Sequence, residues 1–394
     1  MVAPLGSVQP VFTFSPIESI PDEAEDKPEP GLQGSFGALE LPGLVFGAAV
    51  FSGFYNSDSH ISSDIPVRTV RLALRYGIRT FDTSAYYGPS EIVLGTALKA
   101  LELEYPRSSY KLITKCGRYG SGPELFDYSP ATIRASVQRS LSRLHTTYLD
   151  TVYLHDVEYV ATAVAPRRTG NPVSALDDEK AQYGLLEGEE GKVHGEGDQK
   201  ILDAIAELRK MQEEGLIKTI GITGFPLPTL LRLALLVRNT APYKPLDVLL
   251  SYSHLCLQTS TFIKFAPQFL NRAGVSQVVT ASPLSMGLLT PNSPAWHPAT
   301  ELMAKELKEA REKCAQWQGG LVNIALGYAI RLASNAAVPT VVGLSNLREV
   351  HENVRLWREA QHAQVDENRK ALEDDILKIF ADSNFLDWSW ASPP

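Results

Sequence analysis

Residues 62–82 read SSDIPVRTVRLALRYGIRTFD and hold a helix and the strand that follows it. Pro66 suits a first helical turn, where its missing N–H has no partner to lose, and Gly77 suits a stop. IRTFD (78–82) then has strand composition, β-branched and aromatic. The same alternation runs outward in both directions. Strand-like runs recur as GLVFGA (43–48), YKLITK (110–115), LDTVYLH (149–155), IKTIGIT (217–223), LDVLLS (246–251), VSQVVTA (275–281) and VPTVVG (338–343). Helical stretches fit between them, among them YSPATIRASVQRSLSRL (128–144), with Ser129 placed to cap and Pro130 next to it. Strands that alternate with helices make a parallel sheet, and eight such units predict an α/β fold, a single (β/α)8 TIM barrel.

The 394 residues carry 37 Lys and Arg against 45 Asp and Glu, a formal charge of −8. That balance argues against nucleic acid, which demands a basic face. Cys116, Cys256 and Cys314 are too few and too scattered for a disulfide framework or zinc ribbon. No charged-then-apolar leader opens the chain, and no run approaches the ~20 apolar residues of a membrane span. A cytoplasmic protein of unspecified oligomeric state is expected, with no membrane partner. Residues 1–40, with six prolines and the acidic run DEAEDKPEPG (22–31), read as a flexible or surface-draped arm ahead of a barrel over 41–394. Residues 156–200 hold 10 acidic against 5 basic residues and include GLLEGEEGKVHGEGD, which predicts a partly disordered insert after strand four. Because it follows His155 directly, it is a candidate lid. A further helix and tail, 360–394, end with Trp388 and Trp390, which are expected to pack back onto the barrel.

No G-x-G-x-x-G follows a strand, the Walker pattern fails at Gly191-Lys192, and no Tyr precedes a Lys by four residues. A nucleotide would have to be held in another way. In a barrel the reacting groups stand where strands end. Here strand two ends in Asp82 with Tyr87 beyond it, strand three in Lys115 and strand four in His155. A tyrosine serves as acid or base near neutral pH only beside a cation, since its free pKa is about 10. Lys115 would supply that cation, Asp82 would hold Lys115, and His155 would hydrogen-bond a substrate oxygen. Such a group suits hydride transfer between a carbinol and a nicotinamide. Taken singly, each residue has a structural reading as a turn cap, a packing aromatic or a core histidine. His155, Asp156 and Glu158 could imitate a metal site, but with no further histidine nearby no metal is expected.

The runs FDTSAYYGPSE (81–91), LITKCGR (112–118) and VYLHDVE (152–158) resemble the aldo-keto reductase superfamily. TKCGRYG, GITGFPL, LSYSH, TASPLSMGLLT and PAWHPA narrow the resemblance to its L-galactose and D-arabinose dehydrogenase branch, over about residues 41–358 without the insert. The resemblance implies a catalytic tetrad of Tyr87, Lys115, Asp82 and His155. It implies oxidation of a free aldose such as D-arabinose, L-galactose or L-fucose to an aldonolactone, with NAD taking the hydride and Tyr87 as base. For the cofactor it implies Gly47 and Ala48, Thr223 and Gly224 where most members have Ser-Asn, Ser251, and Ser282, Pro283, Leu284, Ser285 and Gly287 along the pyrophosphate. Ala281 replaces the usual stacking Tyr. Gly343, Ser345, Glu349, Glu352 and Asn353 complete the set, and the carboxylate of Glu349 together with glycine in place of lysine at 343 favours NAD over NADP. Phe51, Tyr119, Trp296 and His297 are expected to line the sugar pocket. Two other readings fit the same barrel, an NADPH-dependent aldehyde or ketone reductase and a nucleotide-sensing subunit without turnover.

Overall fold

The computed structural model describes residues 8–29, 34–299, 301–362 and 364–392. The helix read from 62–77 forms as α1, Ile65–Arg75, with Pro66 in its first turn and Gly77 at φ +87° just beyond its end. Glycine adopts that left-handed backbone without steric penalty. Among the described residues the closed barrel holds eight strands: β1 Leu44–Gly47, β2 Thr80–Asp82, β3 Lys111–Cys116, β4 Leu149–Leu154, β5 Ile217–Gly224, β6 Val248–Tyr252, β7 Gln277–Ala281 and β8 Thr340–Gly343. They follow one another around the barrel in chain order, with β8 beside β1. The helices around them are α2 Ser90–Ala100, α3 Pro130–Arg143, α4 Glu196–Glu213, α5 Leu227–Arg238, α6 Phe262–Pro267, α7 Ala304–Lys313, α8 Gly320–Asn335, α9 Leu347–Ala360 and α10 Glu367–Asp382. The expected (β/α)8 architecture is therefore the one observed, with α7 and α10 beyond the eight-fold pattern.

Register decides which side chains meet. Gly47 lies opposite Asp82, Asp82 opposite Ile113, and Lys115 opposite Tyr153. Side chains alternate between the faces of a strand, so Asp82, Ile113, Lys115 and Tyr153 share the interior face. His155 extends the ladder by one step, its N–H donating to the Cys116 carbonyl at 2.9 Å, and keeps the parity of Tyr153. One residue of slip in β3 would turn Lys115 toward the helices.

The chain divides into two compact units. In the first, the acidic run expected to be flexible is held on α1. Asp26 is wholly buried and accepts from Arg68 at 3.0 and 2.8 Å, while Arg75 donates to Asp22 at 2.6 Å. Residues 1–7 and 30–33 of the arm lie outside the described residues. In the second unit, residues 162–194 of the insert are tied to the helices by burial and hydrogen bonds. Ala175 and Leu185 are buried, Arg232 donates to the Thr162 carbonyl at 2.9 Å, and Arg272 donates to the Leu185 carbonyl at 2.8 Å and to Glu190 at 3.0 Å. The insert also ends earlier than 200, since α4 begins at Glu196. Its Gly170 exchanges two backbone hydrogen bonds with Ser389, and Trp390 is buried in a cluster with Cys314, Ile376 and Phe380.

Helices α2 and α3 approach most closely at Gly95. A Cβ there would stand 2.1 Å from the Arg143 carbonyl oxygen and 2.7 Å from Leu144 Cα, both backbone atoms that cannot swing aside. Gly95→Ala is expected to destabilise the chain by about 1–3 kcal/mol through overpacking, against the helix propensity that alanine would add. A thermal melt checks this, and an unchanged or raised midpoint would contradict the close approach.

Candidate active site

Three of the four residues read from strand ends meet inside the first unit by the register just described, and the loop after β2 brings the fourth. Lys115 Nζ donates to Asp82 Oδ1 at 2.5 Å and to the Thr83 carbonyl at 2.9 Å. Both side chains are almost completely buried. A short turn, in which the Tyr87 N–H donates to the Ser84 carbonyl at 3.1 Å and Gly88 takes φ +54°, sets Tyr87 over this pair. Lys115 Nζ stands 4.8 Å from the Tyr87 ring centre, and the His155 ring meets that of Tyr87 edge-on at 5.5 Å. His155 Nδ1 lies 2.9 Å from Ser84 Oγ. Asp82, Tyr87, Lys115 and His155 thus form one cluster.

The electrostatics follow from burial. Desolvation pushes the Asp82 carboxyl up, with Lys115 pulling the other way. Burial and the adjacent cations Lys115 and Arg118 push His155 well below its ordinary value, so the ring is neutral at neutral pH. Tyr87 is raised well above 10, first by burial and then by the carboxylates of Asp82 and Asp156. The sequence expectation was that Lys115 would ease ionisation of this phenol. In the structure the Lys115 ammonium is bonded to Asp82 and Thr83, and the phenol is held protonated.

Sequence reasoning missed a second buried ion pair at the same mouth. Arg118 Nη1 donates to Asp156 Oδ2 at 2.5 Å, and the same oxygen lies 3.5 Å from His155 Nε2. The guanidinium stands 4.0 Å over the Tyr86 ring and donates to its hydroxyl at 3.3 Å. The available signal was an arginine three residues past Lys115 and a carboxylate directly after His155.

The remaining predicted residues divide. Phe51 is wholly buried and packs at 5.6 Å on Phe46, which pairs with Phe81 and so has the parity opposite to Asp82. The Tyr119 hydroxyl accepts from the Gly117 N–H at 3.1 Å, and its ring faces Arg139 of α3. In the second unit Trp296 is half exposed, and His297 is buried against Trp390 at 5.9 Å. Gly47 is required by packing, since a Cβ would come 2.9 Å from the Val342 carbonyl of β8. Ala48 is buried and Gly224 ends β5. Thr223 Oγ1 is buried with no hydrogen-bond partner among the described residues. Ser251 is buried 3.5 Å from His254, and Ser282 Oγ accepts from the Met286 N–H at 2.7 Å. Pro283 and Leu284 lead into a tight turn where Ser285, Met286 and Gly287 all take positive φ. Gly343 ends β8 exposed. Glu349 closes the start of α9, accepting from the Ser345 N–H at 2.7 Å and the Asn346 amide at 3.1 Å. Asn353 donates to the Glu349 carbonyl at 2.9 Å, and Glu352 pairs with Arg348 on the surface.

The profile of the Aldo/keto reductase family matches residues 43–371. The chain is similar to L-galactose dehydrogenase of Arabidopsis thaliana, 34% identical over 86% of this chain and 92% of that protein. It is also similar to D-arabinose 1-dehydrogenase of Saccharomyces cerevisiae, 33% identical over 91% of this chain and 96% of that one. Among solved structures, a glycerol dehydrogenase of Gluconobacter oxydans shares the fold with a TM-score of 0.56 at 20% identity, covering 90% of this chain and 96% of its own.

An unfolded histidine takes up a proton near pH ~6.5, whereas folded His155 resists it. The unfolded state therefore binds more protons as the pH falls through that value, and stability is lost with it. Between pH 6 and 5 the loss from this group is about 1 kcal/mol per pH unit. Denaturation of His155→Gln is expected to show a pH dependence flatter by that amount. Identical slopes would contradict a neutral buried ring.

Proposed function

The chain belongs to the aldo/keto reductase family, and from that premise we propose that it oxidises a free aldose at the anomeric carbon to an aldonolactone, with NAD as hydride acceptor. The observation that carries this reading is the convergence of Tyr87, His155 and the Lys115–Asp82 pair at one end of the strands. The names of the two relatives support the substrate class, D-arabinose, L-galactose or an L-fucose-like sugar of related stereochemistry.

The residues of the first unit fit a dinucleotide. The buried hydroxyl of Thr223 lacks a partner among the described residues and suits a carboxamide, and β8 ends in an exposed glycine with no side chain to obstruct a bound group. The carboxylate of Glu349, held by the Ser345 N–H, suits a ribose hydroxyl and opposes a 2′-phosphate. The nicotinamide, when bound, supplies the hydride acceptor. Neutral His155 offers a hydrogen bond to the anomeric oxygen, and Tyr87, once its phenol proton has been lost to solvent, takes the anomeric hydroxyl proton on Oη as C1–H leaves as hydride and the C1–O bond becomes the lactone carbonyl. Lys115, 4.8 Å from the centre of the ring, is a cation placed to stabilise the phenolate that acts as base.

Two outcomes follow. NADH formation is expected with D-arabinose, L-galactose or L-fucose, faster with NAD than with NADP, and Tyr87→Phe is expected to reduce it about 100-fold or more, the usual worth of a general base. No oxidation of any of these sugars, together with NADPH-dependent reduction of aldehydes, would overturn the reading in favour of a reductase. The raised phenol also has a kinetic consequence. Because sugar oxidation needs the phenolate, kcat/KM for the sugar is expected to climb about tenfold per pH unit between pH 7 and 9, and a flat profile would contradict Tyr87 as base.

A further inference from the structure

We propose that Asp156, balanced by Arg118, is a positioning residue that makes His155 present its Nε2–H to the substrate oxygen. The inference rests on the proposed dehydrogenase reading for its kinetic consequence, but its structural content does not depend on any substrate. A neutral imidazole carries one proton, and which nitrogen holds it is set by the partners of both.

The contacts at both nitrogens bear on the tautomer, and the one at Nε2 selects it. At Nδ1, the neighbour is Ser84 Oγ at 2.9 Å, and that oxygen already accepts from the Tyr86 N–H at 3.1 Å. Ser84 retains an O–H that can donate to Nδ1, leaving the ring proton on Nε2, and also a second lone pair, so the contact at Nε2 decides between the tautomers. At Nε2, the neighbour is Asp156 Oδ2 at 3.5 Å. A bare Nε2 lone pair facing a carboxylate oxygen is repulsive, and an N–H there is attractive. Arg118, 2.5 Å from the same oxygen, neutralises the carboxylate, so the imidazole is not drawn into the charged form. Burial and the two flanking cations act in the same sense. The Nε2–H at 3.5 Å from Asp156 is too far for a firm hydrogen bond and remains available to a sugar oxygen.

The chain goes to some cost to place this carboxylate. Asp156 sits at φ +56° and ψ 60°, left-handed backbone that a residue with a Cβ rarely adopts. Tyr128 Oη fixes the preceding peptide by donating to the His155 carbonyl at 2.7 Å. Tyr86, clamped beneath Arg118, packs edge-on against the His155 ring at 5.8 Å. Without Asp156, Nε2 would lose the carboxylate that favours its proton, while the Arg118 guanidinium that acts on the ring would remain. A guanidinium offers only donors, so the favoured tautomer would reverse and His155 would offer the substrate a lone pair.

The test is the nitrogen NMR spectrum of the histidine-labelled full chain at pH 7.5, with His155 assigned by its loss in His155→Gln. The wild type is expected to show a protonated Nε2 and a bare Nδ1, and the opposite pattern overturns the proposal whether or not Asp156→Gly folds. Asp156→Gly removes the carboxylate and tolerates the left-handed backbone. It is expected to move the proton to Nδ1 and to lower kcat for sugar oxidation about 10- to 100-fold with little change in KM for NAD. An unchanged tautomer in the folded variant would equally overturn the proposal. Failure of the wild type to oxidise any sugar would defeat the functional reading alone, since the tautomer is read without substrate.

Discussion

A lysine ammonium and an aspartate carboxylate 2.5 Å apart, both nearly sealed from water, are the contact on which the site depends. Removing one partner from such a pair leaves a buried charge uncompensated, at about 3–5 kcal/mol. The barrel must therefore deliver both together. It does so through register, with Asp82 opposite Ile113 and Lys115 two residues further on the same face, so that the long lysine side chain reaches back to the carboxylate on the next strand. The same parity carries His155 to the end of β4. Closure of the sheet, the inward face of three strands and the turn that sets Tyr87 over the pair are parts of one geometric condition.

Around that pair the charges are arranged in alternation. Lys115 with Asp82, and Arg118 with Asp156, are two neutralised pairs flanking two neutral rings, the Tyr87 phenol and the His155 imidazole. Burial penalises charge on either ring. The carboxylates make the phenol harder to ionise, and the cations make the imidazole harder to protonate. The resting site thus holds a proton on Tyr87 and none in excess on His155, with the fixed charges placed to respond when a proton moves. Such preorganisation lets protein dipoles and charges do what solvent reorganisation would do in water.

The sequence made the barrel and the four clustered residues legible because both depend on local signals. Gly77 and Pro66 mark the ends of α1, and polar residues closing apolar strands stand out against their neighbours. What stayed hidden depends on partners distant in the chain. Asp26 lies in a run that composition reads as unfolded, yet Arg68 is 42 residues away and buries it. Residues 162–194 look disordered by charge and glycine content, while Arg232 and Arg272, far along the chain, tie them down. Arg118 and Asp156, separated by 38 residues, become a site only when β3 and β4 pair.

The most direct test of the central claim follows the hydride itself. With D-arabinose or L-galactose deuterated at C1, the account predicts that the deuterium appears on C4 of the nicotinamide, that kcat/KM shows a primary isotope effect in the wild type, and that Tyr87→Phe abolishes the transfer. Sugar oxidation without deuterium in the cofactor, or undiminished transfer in Tyr87→Phe, would contradict it.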